Sequence, residues 1–441
     1  MPRVISNDML RLKLSESLAA PLPERTARDI RLPAIPDKAL AVIGVRRGGK
    51  TSFLYRHIAE RLAAGDAPGT HLLVSLEDER LVGMTAEDLG WLIEEHRRVA
   101  PAVREQGRRT VYLDEVQVVA GWEALVRRLL DAHDTQVFVS GSSAKLLSSE
   151  VHTSLRGRSM EVLVHPFSFR EALRHAGEEP TDEWARLTPD ERAAVDAALR
   201  RYLKVGGFPE AQGSDVRDRM SLLKGYVDLM VLRDVIERHH VSNVEALRRL
   251  QRHLMANPTA TFSVSKFHRD LKSQAIAVGE ETLYHLLSHI EDAFLVRLVS
   301  MHTASERQRM RNPRKVYPID PGLIPVYERA RRENWGRSLE TVVLLELERR
   351  GYDAGWVRVG DDLEVDFHAE NPAADTLLIQ VSLDTTSEGT WKREIRSLQA
   401  AAEAYPDARA LLITLDPTPP SRPLPDRIEW HSASQWLLEE V

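Results

Sequence analysis

The chain has 441 residues, of which 43% are hydrophobic and 29% are charged. These are ordinary values for a globular protein, so they exclude wholesale disorder, a collagen and a coiled-coil rod. No apolar run approaches the roughly 18 residues needed to cross a bilayer, and Met1–Asp8 lacks the apolar core of a secretory signal. We therefore expect a cytoplasmic protein with no membrane partner. The absence of cysteine excludes disulfides and thiolate metal sites.

The formal net charge is −6, so no overall field draws nucleic acid to the protein. Any contact with nucleic acid must therefore use a local basic patch. Of the 60 basic residues, only ten are lysines, which makes a lysine inside a motif more informative than usual.

Short apolar runs alternate with helical stretches between Leu40 and about Pro166. The runs are Leu40–Gly44, His71–Leu76, Thr110–Glu115, Gln136–Gly141 and Glu161–Val164, and the helical stretches are Lys50–Ala63, Thr85–Arg98, Trp122–His133 and Ala144–Ser148. Strand–helix alternation with nearly continuous apolar strands predicts an α/β fold, in which a parallel sheet is covered by helices on both faces.

The segment Gly44-Val45-Arg46-Arg47-Gly48-Gly49-Lys50-Thr51 fits the pattern G-x-x-x-x-G-K-[ST] between a predicted buried strand and an amphipathic helix. The glycines let backbone N–H groups turn inward around a phosphate at the positive end of the helix. Lys50 would reach the β and γ oxygens, and the Thr51 hydroxyl would ligate Mg²⁺. The sequence thus predicts a site for ATP and Mg²⁺ formed by Gly44, Arg47, Gly48, Gly49, Lys50, Thr51 and Ser52.

An acidic pair ends the third predicted strand, where Asp114 and Glu115 follow Val111-Tyr112-Leu113. Asp114 would hold the Mg²⁺ shell, and Glu115 has the place of the base that orients and deprotonates the attacking water. The next strand ends in Ser140-Gly141-Ser142-Ser143, and we select Ser142 as a contact for the γ-phosphate or the water. The alternative for Ser142 is an ordinary helix cap.

Arg158 lies in the segment Leu155-Arg156-Gly157-Arg158. An arginine placed near a γ-phosphate stabilises the charge of the transition state and is often supplied by a neighbouring subunit. Arg158 is our candidate for this role, although arginine is abundant throughout the chain.

These motifs together resemble the AAA+-type P-loop ATPases of bacteria and archaea that carry a C-terminal restriction-endonuclease-like domain of unknown function. The supporting residues are Gly44–Thr51, Leu113–Gln117, Ser140–Ser143, Leu155–Arg158, Pro166–Phe169 and Gly206–Pro209. The resemblance covers nearly the whole chain. It implies nucleotide hydrolysis at the site above, matches Arg158 to the family's Gly-Arg position, and implies a homo-oligomer such as a ring.

Four units follow from these patterns. We predict a P-loop ATPase core at residues 1–168, a helical lid at 169–240, a winged helix-turn-helix at 241–325 and a smaller α/β restriction-endonuclease-like domain at 326–441. The third unit rests on a capped helix at Phe262–Leu271, a Gly-containing turn, a second helix at Glu280–Ile290 and a following β pair.

A basic segment lies between the two β pieces of this third unit, from Arg307 to Lys315. We expect a wing-like loop that neutralises DNA phosphates with little sequence preference, through Arg307, Arg309, Arg311, Arg314 and Lys315. The alternatives are a solvated loop or a salt-bridge surface between subunits. The second helix carries Glu280 and Glu281, which make it a poor major-groove reader, so the helix-turn-helix is equally explained as a packing module.

Carboxylates in the C-terminal unit follow the order of restriction-endonuclease-like nucleases, with Glu340 on a helix, Asp366 on a strand and Gln380 on the next strand. In such nucleases two carboxylates hold Mg²⁺ and a lysine helps to activate water. Here Ser382 occupies the position of the lysine, and Lys392 is the only later lysine that would substitute. We therefore expect a vestigial metal site at Glu340, Asp366 and Gln380 in an inactive nuclease domain.

The sequence thus predicts a Mg²⁺-dependent ATPase that couples hydrolysis to action on DNA, as an oligomeric motor on duplex or branched DNA in repair or recombination. One alternative is a regulatory or defence switch, in which bound ATP gates the assembly of a sensor or effector and turnover is slow. A third is an ATP-regulated, Mg²⁺-dependent nuclease.

Overall fold

The computed structural model describes residues 5–141, 155, 157–303, 305–328, 334–360 and 363–439. The chain forms two compact units, Met1–His165 and Pro166–Val441, and each is described by itself. The predicted helix at Ala144–Ser148 lies outside the described residues. Among the helices of the described part, none is long and apolar enough to span a membrane.

The first unit is built on five strands and five described α-helices. The strands are β1 (Ala39–Ile43), β2 (His71–Ser75), β3 (Arg109–Asp114), β4 (Thr135–Ser140) and β5 (Ser159–Leu163), and the helices are α1 (Asn7–Ala19), α2 (Lys50–Ala63), α3 (Ala86–Val99), α4 (Pro101–Gln106) and α5 (Trp122–Asp131). The strands form one sheet in the order β2-β3-β4-β1-β5, and all four pairings are parallel. The predicted parallel α/β sheet is therefore confirmed.

Burial explains why these strands read as continuous apolar runs. All five residues of β1 are buried, and the rings of Tyr112 on β3 and Phe138 on β4 stack with centroids 4.9 Å apart. Phe53 and Leu54 of α2 pack onto this core. Because parallel strands bring their carboxyl ends to one edge of the sheet, the residues that follow β1, β3 and β4 meet there.

The second unit contains two sheets and eleven described α-helices. The helices are α6 (Phe169–Ala176), α7 (Pro189–Val205), α8 (Val216–Met230), α9 (Val244–Ala256), α10 (Val264–Ser273), α11 (Glu280–Asp292), α12 (Glu306–Arg311), α13 (Ile324–Tyr327), α14 (Trp335–Arg349), α15 (Glu388–Ala404) and α16 (Ala433–Leu438). The strands are β6 (Thr261–Phe262), β7 (Val296–Val299), β8 (Arg314–Pro318), β9 (Asp353–Val359), β10 (Leu363–Glu370), β11 (Leu377–Ser382), β12 (Arg409–Thr414) and β13 (Ile428–Ser432).

A three-stranded antiparallel sheet has the order β6-β8-β7; β6 precedes α10, whereas β7 and β8 follow α11. The basic segment that we predicted as a loop between β7 and β8 instead contains the short helix α12, whose Ser305 cap accepts a hydrogen bond from the N–H of Gln308 at 3.4 Å. This corrects the predicted loop, because a serine cap followed by straight-chain residues favours a helical turn.

A five-stranded mixed sheet, in the order β13-β12-β11-β10-β9, forms the other half of the second unit. Helix α14 packs on this sheet together with α6 and α7, so Leu199 and Tyr202 share one hydrophobic core with Leu339 and Phe367. Capping boxes at Ser168 and Thr188 fix the starts of α6 and α7. The division of this unit at residues 240 and 325 stays a prediction.

Candidate active site

The phosphate-binding loop lies between β1 and α2 at the carboxyl edge of the parallel sheet. Gly44 has φ of 145°, and a Cβ at this position would lie 2.2 Å from the carbonyl oxygen of Val164. At Gly48 a Cβ would lie 2.9 Å from Cγ1 of Val45. Side chains are therefore excluded at two positions of the loop, which leaves its backbone N–H groups close to the N-terminus of α2. This is the arrangement that binds phosphate.

Lys50 and Thr51 occupy the first turn of α2. The buried ammonium of Lys50 donates to the carbonyl oxygens of Gly44 and Val45, each at 3.1 Å. The Thr51 hydroxyl donates to Oδ2 of Asp114 at 2.8 Å. The hydroxyl and the carboxylate expected to hold Mg²⁺ are therefore in contact, although they are 63 residues apart in sequence.

Asp114, Glu115 and Ser140 form a compact polar group at the ends of β3 and β4. Ser140 donates its hydroxyl to Oδ1 of Asp114, and its Oγ accepts the N–H of Glu115 at 3.0 Å. Burial raises the pKa of Asp114, while the hydrogen bonds from Ser140 and Thr51 act in the opposite direction. Glu115 has a φ of 56°, a left-handed conformation that is strained for residues other than glycine. The hydrogen bond from the N–H of Glu115 to Ser140 stabilises this conformation.

The potential ligand atoms and the glycine positions of the loop fit a nucleoside triphosphate with Mg²⁺. The loop has room only for glycine at Gly44 and Gly48, and a hydroxyl and a carboxylate oxygen, the ligands that Mg²⁺ prefers, lie together at Thr51 and Asp114. Arg47 is exposed with φ of 65°, and Ser52 is half-buried in the first turn of α2. The sequence reasoning missed two further residues, Ser140 and Arg28. Arg28 donates to the carbonyl oxygens of Gly48 at 3.4 Å and His165 at 2.6 Å.

Arg158 lies on the side of the parallel sheet where the strands begin, opposite to the side where they end and the phosphate-binding loop lies. It directly precedes β5, whose first residue Ser159 pairs with Ala39 at the start of β1, whereas the phosphate loop follows the end of β1. Its exposed guanidinium forms an ion pair with Asp131 at the end of α5. The structure therefore does not bring Arg158 to the phosphate loop of its own chain. Ser142 lies outside the described residues.

A second polar cluster lies in the second unit of the chain and is centred on Lys315 of β8. Its ammonium lies 3.3 Å from Oε1 of Glu340, 2.8 Å from Oε1 of Glu364 and 3.2 Å from Oδ1 of Asp366. Tyr317 donates its hydroxyl to Oε1 of Glu340 at 2.7 Å. Burial acts to lower the pKa of Lys315, but attraction by Asp366, Glu340 and Glu364 outweighs it, so the pKa is raised and the ammonium stays charged.

Two further residues extend this cluster. The Nε2 of Gln380 donates to Oδ2 of Asp366 at 3.0 Å and to Oε2 of Glu394 at 2.6 Å, and the N–H of Val381 donates to the same Asp366 oxygen at 2.9 Å. The Oε1 of Gln380 is buried and has no hydrogen-bond partner within the described part of the chain. Burial, with the nearby charge of Asp366, raises the pKa of Glu340 to about 7. The cluster therefore holds more negative charge than its lysine neutralises.

These contacts correct two predictions about lysines. Lys315 was expected on an exposed DNA-binding loop, but it is 4% exposed and paired with carboxylates, so it is not available to a DNA phosphate. Ser382 occupies the position of the nuclease lysine, and the lysine that lies among these carboxylates is Lys315 of β8. Lys392 does not replace it, because its side chain is 73% exposed and pairs with Glu388. The available sequence signal was that Lys315 and Tyr317 share one face of a strand.

The other arginines predicted to contact DNA differ in exposure. Arg307 and Arg309 are exposed on α12, whereas Arg314 is half-buried at the start of β8. The side chain of Arg311 lies outside the described residues.

The phosphate loop, the acidic strand end and the parallel sheet define a P-loop ATPase domain. In agreement, residues 36–173 match the family described as an AAA domain, and residues 196–333 match a family described as a domain of unknown function, DUF8612. The chain thus contains a nucleotide-binding ATPase domain of the AAA type.

Two proteins resemble the chain over most of their length. The uncharacterized protein MJ1544 of Methanocaldococcus jannaschii is 31% identical over 379 residues, which are 85% of this chain and 81% of that protein. An uncharacterized protein of Haemophilus influenzae is 31% identical over 348 residues, which are 78% of this chain and 82% of that protein. The chain belongs to the family of these two proteins.

Solved structures show only distant similarity. The Walker-type ATPase PABY2304 of Pyrococcus abyssi is 18% identical with a TM-score of 0.41, and the match covers 74% of this chain and 96% of that one. The ORC2 protein of Aeropyrum pernix in its ADP form is 14% identical with a TM-score of 0.33, covering 73% of this chain and 91% of that one.

Replacing Lys315 by methionine tests the charge balance of the C-terminal cluster. The substitution leaves Glu340, Glu364 and Asp366 without their shared cation, and we expect it to lower the free energy of unfolding at pH 8 by about 3–5 kcal/mol. The folded pKa of Glu340, about 7, lies above its ordinary value of 4.5. Its titration therefore contributes stability that is full below about pH 4.5 and is lost as the pH rises through about 7.

Lys315 lowers the pKa of Glu340, so without it Glu340 takes up a proton more readily, and the defect of Lys315→Met should be smaller at pH 5.5 than at pH 8. Denaturant unfolding of the full chain at the two pH values measures this. Lys392→Met is the matched control, since that lysine forms an exposed pair with Glu388 and should cost little. Equal stability of the two variants would contradict the buried pairing.

Proposed function

We propose that the chain is a Mg²⁺-dependent ATPase whose hydrolysis drives action on DNA, as an oligomeric motor on duplex or branched DNA in repair or recombination. The observation that carries the ATPase part is the connected group Thr51–Asp114–Ser140–Glu115 beside the phosphate loop. It places a hydroxyl and a carboxylate suited to Mg²⁺ next to a second carboxylate, that of Glu115.

Each residue has a distinct part in this proposal. Lys50 exchanges its loop carbonyl contacts for β and γ oxygens and neutralises their charge. Thr51 and Asp114 would hold Mg²⁺, which would supply further positive charge to the phosphates. Glu115 accepts a proton from the water that attacks the γ-phosphorus, while the bond to the bridging oxygen of ADP breaks. Ser140 keeps the backbone of Glu115 in the conformation that presents its carboxylate.

The location of Arg158 supports an assembly of several copies. A five-residue strand at about 3.3 Å per residue separates it from the phosphate edge of its own sheet. An arginine on this edge is placed to serve the site of a neighbouring copy, which would complete the charge stabilisation of the transition state. A ring or another homo-oligomer is the arrangement in which every site is completed in this way.

The DNA part of the proposal rests on the second unit. Helices α10 and α11 with the antiparallel sheet β6-β8-β7 have the order of elements of a winged helix-turn-helix. The first turn of α11 carries Glu280 and Glu281, which disfavour insertion of that helix next to phosphates. The exposed Arg307 and Arg309 on α12 are better suited to contact phosphates without sequence preference.

Glu115→Gln tests the catalytic assignment. We expect ATP turnover to fall by about 100- to 10,000-fold, because the general base is lost, while ATP binding is retained because the phosphate loop is intact. Turnover is measured as released phosphate, with and without duplex and four-way DNA, and binding is measured with a fluorescent ATP analogue. Glu123→Gln, on the neighbouring helix α5, is the control and should turn over normally.

DNA should raise the turnover of the unaltered chain several-fold. An ATP turnover rate that no nucleic acid changes would contradict the motor hypothesis and favour an ATP-gated regulatory switch. Unchanged turnover in Glu115→Gln would contradict the ATPase mechanism itself.

The double variant Arg307→Ala with Arg309→Ala tests the DNA surface. Each lost phosphate contact should reduce the slope of log affinity against log salt by about 0.9, so DNA binding should become weaker and less dependent on salt. Fluorescence anisotropy with a labelled duplex at several salt concentrations measures both. The control removes Arg233 and Arg409, which pair with Glu237 and Glu429. Equal effects of the two double variants on DNA binding would contradict the proposal that α12 contacts DNA.

A second candidate function is Mg²⁺-dependent cleavage of phosphodiesters in a restriction-endonuclease-like C-terminal domain, and Lys315 is the observation that favours it. Glu340, Asp366 and the unpartnered Oε1 of Gln380 are oxygen ligands suited to Mg²⁺. When all three carboxylates around the one ammonium are ionised, two negative charges remain, which a divalent cation would neutralise. Lys315 would stabilise the charge that develops on the phosphate.

Asp366→Asn tests this candidate. We expect wild-type chain with Mg²⁺ or Mn²⁺ to cut DNA, and expect Asp366→Asn to abolish cutting while ATP turnover is unchanged, because Asp114 and Glu115 remain. Cleavage is followed on labelled single-stranded, duplex and four-way DNA, with Asp375→Asn as an exposed control. If Lys315→Met gains Mn²⁺ binding and the unaltered chain shows none, Lys315 replaces the metal and the domain is inactive.

A further inference from the structure

A cluster of nitrogen and oxygen ligands lies at the end of β10, formed by His302, His368 and Glu370. Each residue offers one ligand atom, and the three atoms lie within 4.8 Å of one another. His368 is 3% exposed, His302 is half-buried and Glu370 is exposed. None of the three belongs to the ATP site or contacts Lys315 among the described contacts.

Local structure explains why these residues meet. His368 on β10 pairs across the sheet with Gly355 on β9. His302 follows β7 and is fixed to β9 by its own N–H, which donates to the carbonyl oxygen of Trp356 at 2.8 Å. A Cβ on Gly355 would lie 3.1 Å from that of His302. The missing side chain at Gly355 therefore leaves room for His302 beside His368, and Glu370 lies two residues further along the strand on the same face.

The buried nitrogen of His368 points to a ligand. Its Nδ1 is buried and has no hydrogen-bond partner among the described residues. The closest acidic atom, Oε1 of Glu370, lies 3.8 Å away, which is too long for a hydrogen bond. Buried polar atoms are normally paired, and burial disfavours the protonated ring. The structure therefore leaves a buried imidazole nitrogen without a hydrogen-bond partner, 3.8 Å from a carboxylate oxygen.

We propose that His302, His368 and Glu370 bind one divalent transition-metal ion of the Zn²⁺ class. Imidazole nitrogens favour Zn²⁺, Co²⁺, Ni²⁺ and Cu²⁺ over Mg²⁺. Zn²⁺ lies about 2.0–2.1 Å from each nitrogen or oxygen ligand, so the ligand atoms of a bound ion would lie closer together than in the present arrangement. Glu370 and His302 supply this adjustment, because both are more exposed than His368.

Binding must also change the stacking of the two rings. The imidazoles of His302 and His368 stack with centroids 3.8 Å apart and planes at 27°, against the ring of Tyr405. Imidazole lone pairs lie in the ring plane, so two stacked rings do not both direct a lone pair at one ion. The ring of His302 therefore turns out of the stack when the ion binds. The ion then ties the segment after β7 to β10, and three protein ligands leave a fourth position for water.

Titration of the untagged full-length chain with Co²⁺ tests the proposal, with visible absorption as the readout and Zn²⁺ as the competitor. Excess Mg²⁺ is present throughout to occupy oxygen-ligand sites. We expect one equivalent of Co²⁺ to bind and to be displaced by Zn²⁺. Glu370→Gln and His302→Gln should each weaken binding by about tenfold or more. Zn²⁺ should also raise the unfolding temperature of the unaltered chain but not of Glu370→Gln.

His285→Gln is the matched control, because His285 and Glu281 form an exposed histidine–carboxylate pair 3.9 Å apart on α11. It should leave Co²⁺ binding unchanged. Glu370 is on the surface, so Glu370→Gln is expected to fold, and circular dichroism checks this. The proposal is overturned if the unaltered chain binds no Co²⁺ above the level of Glu370→Gln, or if His285→Gln weakens binding as much as Glu370→Gln.

Discussion

Buried carboxylates need donors or cations, and this constraint shapes both polar centres of the protein. A charge removed from water is tolerated only when hydrogen bonds or an opposite charge compensate it. Asp114 receives donors from Thr51 and Ser140. Asp366 receives Lys315, the amide of Gln380 and a backbone N–H. In each case the compensating groups come from elements distant in sequence, so the centre and the fold that surrounds it stabilise each other.

The two centres differ in how much negative charge remains. At the ATP site the hydroxyls of Thr51 and Ser140 are neutral donors, and the nearby cation Lys50 contacts loop carbonyls. Mg²⁺ and the phosphates would therefore enter this site together, so that their opposite charges nearly cancel. At the C-terminal centre Lys315 already acts as a fixed cation among three carboxylates. A buried ammonium of this kind suits either a catalytic lysine or a permanent substitute for a metal, and cation binding distinguishes these roles.

The ATP site was predictable from sequence because its chemistry is local. Gly44–Thr51 is a continuous segment, and Asp114 and Glu115 end a strand whose apolar run is easily read. Parallel strands then force these segments to one edge of the sheet. Ser140 was not selected because which of the nearby serines contacts Asp114 depends on where β4 ends, and strand ends are poorly determined by composition.

The C-terminal centre was predicted only in part, for the opposite reason. Glu340, Asp366 and Gln380 were selected correctly as neighbours, since Gln380 contacts Asp366 and both Glu340 and Asp366 contact Lys315. The lysine position was sought on the strand of Ser382, whereas Lys315, which contacts these carboxylates, lies on β8, in a different sheet and 51 residues from Asp366. Its neighbours Arg309, Arg311 and Arg314 made the segment resemble an exposed basic patch. Local charge composition does not show which one of several cations turns inward.

The sheet itself supplies the argument for assembly. Among the described residues of the first unit, those assigned to phosphate and Mg²⁺ lie where the strands of the parallel sheet end, whereas Arg158 lies where β5 begins. Rotation of the Arg158 side chain does not bring it to the other ends of the strands, because the hydrogen-bond register of β1 and β5 fixes where β5 begins. If Arg158 takes part in ATP hydrolysis, it must therefore act on a second copy of the chain. Completion of the site would then depend on protein concentration, which a single-chain enzyme would not show.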